Sequence, residues 1–129
     1  MDTHTDTDVT NNLVVPAFSD DRGDIYDLVE DTVSHIGLIT FKAGVERGKH
    51  YHLKSVQYSY ILDGEIELTT STVDGTNKVT TLLKKGMVTK IPVGVVHTYK
   101  AVTDASILDM TTMSRLEDGY EQDTVRVVL

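Results

Sequence analysis

The chain is punctuated at close, regular intervals by pairs that force the backbone to turn. Asp63-Gly64, Asp74-Gly75 and Lys85-Gly86 are such pairs, and Pro92-Val93-Gly94 makes a further reversal. Glycine tolerates the positive φ that tight turns demand, and proline pre-sets φ at the first turn position. Between these points lie short runs rich in Val, Ile, Thr and Tyr, whose branched or aromatic side chains suit a pleated sheet. No apolar pattern of period 3.6 persists over three turns, so long helices are not expected.

The runs predict strands over Leu13–Val15, Asp24–Val29, Ile36–Lys42, Val56–Leu62, Glu65–Thr70, Lys78–Leu83, Met87–Ile91, Val95–Val102 and Ser106–Thr112. Asp74-Gly75 predicts a hairpin between the fifth and sixth of these. Many short strands with regular turns imply an all-β sandwich or barrel. Residues 1–12 are polar, rich in Thr and Asp, and are expected to form a disordered N-terminal tail. Residues 13–129 then form a single domain, a size that buries enough surface for a core without staples.

The chain has no cysteine, which excludes disulfides, thiolate metal sites and cysteine nucleophiles. Its formal net charge of -8 opposes binding to phosphate backbones or anionic lipid through a basic patch. No apolar stretch has the length of a membrane span, and the first residues lack the basic start and apolar run of a secretory signal. A soluble, cytoplasmic protein that binds neither nucleic acid nor membrane is the expectation.

His50 and His52 are two residues apart, so on a strand they face the same way. Gln57 follows across a bend near Lys54-Ser55, and His97 opens a strand after the Pro92–Gly94 turn. Imidazoles projected from neighbouring strands into one cavity suit a divalent transition metal. Plainer roles are open for each: exposed loop histidines at 50 and 52, a hydrogen-bonded core histidine at 97, and a satisfied core amide at 57.

These residues carry a resemblance to the cupins. The first cupin motif, Gly-x5-His-x-His-x(3,4)-Glu-x6-Gly, resembles Gly44, His50, His52, Gln57 and Gly64, with Gln57 in place of the carboxylate. The second, Gly-x5-Pro-x-Gly-x2-His-x3-Asn, resembles Gly86, Pro92, Gly94 and His97, with Ala101 in place of the asparagine. The resemblance implies a cupin jelly-roll, or double-stranded β-helix barrel, commonly a homodimer. Tyr58, Tyr60 and the C-terminal strand Thr124–Leu129 are candidate interface elements.

Within the cupins, the segment from Arg47 to Lys54 resembles the Arg-Gly-x-His-x-His signature of sugar-nucleotide 3,4-ketoisomerases, relatives of the 3,5-epimerases. Lys54 stands one residue later than the family's lysine. Asp21-Arg22-Gly23-Asp24-Ile25 and Tyr120-x2-Asp123 resemble outer elements of the same enzymes.

The resemblance implies an isomerase or epimerase acting on a nucleoside-diphosphate 4-keto-hexose, in which histidine shuttles protons beside a ketone without a metal. His50 and His52 are then the base candidates, and Arg22, Arg47 and Lys54 the substrate-binding candidates, a guanidinium fork suiting a diphosphate. Tyr99 should share a face with His97 by strand alternation, placing a phenol near an enolate oxygen. Two other readings stand beside this one. A metal-dependent cupin would hold Fe, Mn, Ni or Zn on His50, His52, His97 and Gln57, although an amide donates more weakly than a carboxylate. A non-catalytic cupin would simply bind a sugar or another small ligand.

Overall fold

A computed structural model describes residues 8–127. The chain forms strands β1 (Thr10–Leu13), β2 (Phe18–Asp20), β3 (Gly23–Ile25), β4 (His35–Phe41), β5 (Glu46–His52), β6 (Gln57–Asp63), β7 (Glu65–Ser71), β8 (Val79–Lys84), β9 (Met87–Ile91), β10 (Val96–Ala101) and β11 (Ala105–Thr111). A five-residue helix α1 (Gly119–Asp123) and strand β12 (Thr124–Arg126) follow. Two five-stranded antiparallel sheets face each other, ordered β1-β9-β6-β11-β4 and β12-β5-β10-β7-β8, and β2 pairs with β3 as a separate hairpin. From β4 to β11 the chain passes back and forth between the sheets, staying in one only at the β7–β8 hairpin. This is the expected jelly-roll barrel. No helix among the described residues is long and apolar enough to cross a membrane.

The turn pairs do more than reverse the chain. Asp63-Gly64 is where the chain leaves one sheet for the other, with Gly64 at φ 81°. A Cβ there would lie 2.2 Å from the Asp104 carbonyl oxygen at the neighbouring crossover, so only glycine lets the two crossovers touch. Asp74-Gly75 closes the hairpin between β7 and β8 as expected.

The inward positions of β6, β10 and β11 change character along their length. At one end lie Ile61, Ala101, Ala105 and Ile107, which join Ile66, Leu68, Leu83 and Ile91 in an apolar core. At the other end the same faces carry Gln57, Ser59, His97, Asp109 and Thr111, all buried. Pairing of Ile107 with Ile61, Asp109 with Ser59 and Thr111 with Gln57 keeps like beside like. Each fully buried Ile or Leu contributes about 1.5–3 kcal/mol, so one half of the barrel holds it together while the other half is free to be polar.

The first strand begins earlier than the sequence suggested. Thr10–Leu13 pairs with Met87–Lys90, so the boundary expected after residue 12 falls inside a strand whose polar residues cap a sheet edge. Residues 1–7 of the tail expected over residues 1–12, His4 among them, lie outside the described residues. The strand expected over Asp24–Val29 is only Gly23–Ile25. Strand β5 was absent from the predicted strands because Glu46–Lys49 has no apolar alternation. Strand β12 pairs with β5 within its own sheet, and residues 128–129 of the expected C-terminal strand are outside the description.

Candidate active site

A cavity of about 570 Å³ opens at the polar end of the barrel, lined among others by Arg47, His50, His52, Gln57, His97, Tyr99, Asp109, Arg115, Tyr120 and Arg126. It gathers His50 and His52 from β5, Gln57 from β6 and His97 and Tyr99 from β10. His50 opposes His97 across β5 and β10, with ring centroids 4.6 Å apart, and His52 lies 5.3 Å from His97.

A β-bulge sets which residues of β5 face the cavity. Tyr99 pairs with Arg47, Thr98 with Gly48 and His97 with His50, so Lys49 is the extra residue. Simple alternation would put Arg47 on the opposite face from His50. The bulge brings both into the cavity, at the cost of positive φ at Gly48 (110°) and Lys49 (62°). A Cβ at Gly48 would meet the His97 carbonyl oxygen at 2.7 Å, so glycine is required there.

Two imidazoles are held in the base form. Burial, reinforced by the neighbouring imidazoles, depresses His97 to about 3. Burial first, then His52, Arg126 and Arg115, depresses His50 to about 4. His97 donates Nδ1–H to the Val95 carbonyl at 3.1 Å, which leaves Nε2 a buried lone pair without a hydrogen-bond partner. His50 touches its neighbours ring to ring.

His52 is tied at both nitrogens. Its Nε2 lies 2.9 Å from Gln57 Oε1, and an amide oxygen only accepts, so the proton is on Nε2. Its Nδ1 faces Thr124 Oγ1 at 3.3 Å and Asp123 Oδ2 at 3.5 Å. Gln57 in turn donates Nε2–H to Asp109 Oδ1 at 2.7 Å. Asp109 also accepts from Ser59 at 3.1 Å and from Arg115 Nη2 at 3.1 Å.

Burial pushes the Asp109 carboxyl up, and the donors Gln57, Arg115 and Ser59 pull it back. Because Ser59 spends its hydrogen on Asp109, the Tyr99 hydroxyl, 2.7 Å from Ser59 Oγ, must donate to it. Burial and the nearby Asp109 raise Tyr99 well above the usual phenol range. Tyr99 thus sits in the cavity floor with its proton directed away from the open space.

These bonds decide whether a metal fits. Nitrogens of His50, His52 and His97 lie within 4.8 Å of one another, a spacing that suits a transition ion. However, His52 presents a proton rather than a lone pair toward Gln57, and the Gln57 oxygen is turned to His52. Only His50 and His97 keep a nitrogen lone pair free, and the buried carboxylate of Asp109 is saturated with donors. A divalent ion held by His50, His52, His97 and Gln57 would have to break the bond between His52 and Gln57 and take the place of the His52 proton.

The remaining expected residues lie elsewhere. Arg22 is in the β2–β3 hairpin, exposed and paired with Asp20 at 2.6 Å, and does not line the cavity of this chain. Lys54 follows β5, its backbone N–H bonding Asp123 Oδ1, and its side chain is outside the cavity lining. Arg47 stays in place, stacked 5.4 Å over Phe41 and bonded to the Thr40 carbonyl at 3.2 Å. Tyr58 and Tyr60 are half-buried on the outward face of β6, the Tyr58 hydroxyl donating to Asp31.

The structure adds residues that motif reading missed. Asp109 was visible as an acid on the inward face of an otherwise apolar strand. Arg115, 4.6 Å over the Tyr120 ring, and Arg126, doubly bonded to Glu121, had no such signal. Tyr120 was quoted only as part of an outer motif, yet its ring meets those of His50 and His52 at 6.3 and 6.4 Å.

The jelly roll is an RmlC-like cupin fold, and it resembles the folds of sugar-nucleotide 3,4-ketoisomerases and 3,5-epimerases. The chain belongs to the polysaccharide biosynthesis C-terminal domain family, whose profile matches residues 18–125. No curated protein sequence matches it.

Among solved structures it is similar to a 3,4-ketoisomerase from Helicobacter canadensis (21% identity, TM-score 0.75, 94% of this chain and 92% of that one). It is also similar to QdtA, a sugar 3,4-ketoisomerase from Thermoanaerobacterium thermosaccharolyticum in complex with TDP (18%, 0.73, 92% and 88%). A third is the dTDP-6-deoxy-D-glucose-3,5-epimerase RmlC from Legionella pneumophila, bound to dTDP-4-keto-L-rhamnose (16%, 0.72, 92% and 72%).

Proposed function

We propose that the protein is an isomerase or epimerase of a nucleoside-diphosphate 4-keto-hexose that moves protons with histidine and no metal. The observation that carries this reading is the pair His50 and His97, two base-form imidazoles with free nitrogens facing each other at the end of a sugar-sized cavity. A C–H bond beside a ketone is acidified because the carbonyl takes up the resulting charge as an enolate. His50 accepts that proton and returns it to the carbon from which the new stereocentre or hydroxyl-bearing centre forms. For a 3,4-ketoisomerase the C3 proton passes to His50 and leaves an enediolate, the hydroxyl proton moves from O3 to O4, and His50 returns its proton to C4, which leaves the ketone at C3.

An imidazole depressed to about 4 is a weak base in the empty cavity. A bound diphosphate brings negative charge that favours imidazolium and moves the group toward the operating pH. Arg47 is the cavity guanidinium bonded to a carbonyl rather than a carboxylate, so its charge is uncompensated and suits the diphosphate. That local charge answers the difficulty of an anionic substrate on a protein of net charge -8. Similarity to ketoisomerase and epimerase structures, one bound to TDP and one to a dTDP-4-keto sugar, supports the substrate class.

The test is incubation of metal-stripped protein with dTDP-4-keto-6-deoxyglucose in D2O, followed by proton NMR. Loss of the signal beside the ketone, abolished in His50→Asn, is the expected result. An active-site-intact protein that exchanges no proton from any nucleoside-diphosphate 4-keto-hexose, or exchanges only with added metal, overturns the reading.

A further inference from the structure

The polar end of the barrel contains a chain of groups that no proton transfer above uses: Arg115, Asp109, Gln57 and His52, each bonded to the next. Every member except Arg115 is buried. We infer that Asp109, oriented by Arg115, is a positioning residue that fixes the proton of His52 on Nε2 through the Gln57 amide. His52 is thereby withheld from direct proton abstraction, which falls to His50.

The argument is one of hydrogen-bond direction. Gln57 has a donating and an accepting end, and the two differ only by a half-turn of its amide. Viewed alone, either end suits His52, because a neutral imidazole nitrogen accepts or donates according to tautomer. Asp109 removes the freedom. Its Oδ1 and Oδ2 are met by Gln57, Ser59 and Arg115, all donors, so the carboxylate is the form its surroundings fit. A carboxylate cannot donate, so the amide must turn its N–H toward Asp109 and its oxygen toward His52 Nε2.

The Nδ1 lone pair of His52 is then left to Thr124 and, on protonation, to Asp123. Neither nitrogen is left without a partner. Gln57 is thus not a diminished metal ligand but the connecting piece of a tautomer lock.

The catalytic consequence rests on the function proposed above, but the lock itself is read without substrate. Long-range 1H–15N correlation spectra of histidine-labelled protein distinguish the two neutral tautomers. In the wild type His52 is expected to show Nε2–H with Nδ1 unprotonated.

In Asp109→Asn the guanidinium of Arg115 holds the new amide oxygen, which turns the Asn N–H toward Gln57. The Gln57 amide must then reverse, and His52 is expected to lose its Nε2–H and gain Nδ1–H. Thr124→Val removes the partner on the other nitrogen and is expected to leave the proton on Nε2.

A wild-type proton on Nδ1, retention of Nε2–H in Asp109→Asn, or a switch in Thr124→Val each overturns the inference. If the lock is found but no keto sugar exchanges deuterium, the proposed function fails while the lock stands. If exchange occurs with His52 in the other tautomer, the lock fails and the function stands.

Discussion

Acidification should destabilise this protein well before its exposed, depressed carboxylates titrate, because two imidazoles must charge inside the barrel. His97 is 1% exposed, and its folded value of about 3 lies below the ordinary 6.5. A depressed value means that the unfolded chain binds the proton first. Its contribution is therefore complete above 6.5 and is lost as pH falls toward the folded value.

Across that window each such histidine removes about 1.4 kcal/mol per pH unit, or about 2 kcal/mol by pH 5. His50 adds a smaller share, since it is only partly buried and its depression is coupled to the other imidazoles. The depressed carboxylates Asp20, Asp74 and Glu121 are all exposed and titrate below this range.

The assay is urea unfolding at intervals from neutral pH down to about pH 5, with the extrapolated stability plotted against pH. His97→Asn keeps an N–H near the position of Nδ1 for the Val95 carbonyl but has no titratable ring. It should lose roughly 1.4 kcal/mol per pH unit of the wild-type slope. A variant whose stability falls as steeply as the wild type refutes the assignment of a neutral, buried His97.

Other outcomes follow from the same geometry. Gly48→Ala should cost about 2 kcal/mol or more by urea unfolding, since the position needs positive φ and a Cβ meets the His97 carbonyl; an unchanged midpoint would sink the bulge argument. Arg47→Gln should weaken binding of a nucleoside diphosphate by calorimetry while leaving the melting temperature nearly unchanged; equal affinity would remove Arg47 from the substrate site.

Protein purified without added metal and analysed by plasma mass spectrometry should carry no stoichiometric transition ion; a full equivalent that disappears in His50→Ala would restore the metal-dependent reading. Leu13, Val15, Phe18 and Ile25 are large apolar side chains exposed in the N-terminal segment, where pairing with a second copy would bury them, so sedimentation should report a dimer at micromolar concentration. A monomer there would refute it.

The fold was legible because turn chemistry is local. Asp63-Gly64, Asp74-Gly75 and Lys85-Gly86 sit at chain reversals, and Val- and Ile-rich runs between them became strands. The histidine cluster was legible because its spacing is fixed by two short motifs on adjacent strands.

What could not be read was direction and pairing. Strand alternation wrongly separates Arg47 from His50, because a bulge depends on the partner strand and on two residues accepting positive φ. The role of Gln57 was equally hidden. Its meaning lies in Asp109, 52 residues away, which gave no more than an odd charge in an apolar run.

The polar half of the barrel makes sense only as a closed set of hydrogen bonds. Buried polar groups are costly when unpaired, at about 1–3 kcal/mol each, and here Ser59, Tyr99, Gln57, His52 and Asp109 satisfy one another in sequence. The chain needs one charge to close it, and Arg115 supplies that charge from the partly exposed end while stacking on Tyr120. His97 Nε2, by contrast, is left unpartnered beside His50, inside the cavity. Arg115 Nε is the other nitrogen of this end left without a partner, but His97 Nε2 is the bare acceptor, and it is presented to whatever enters the cavity.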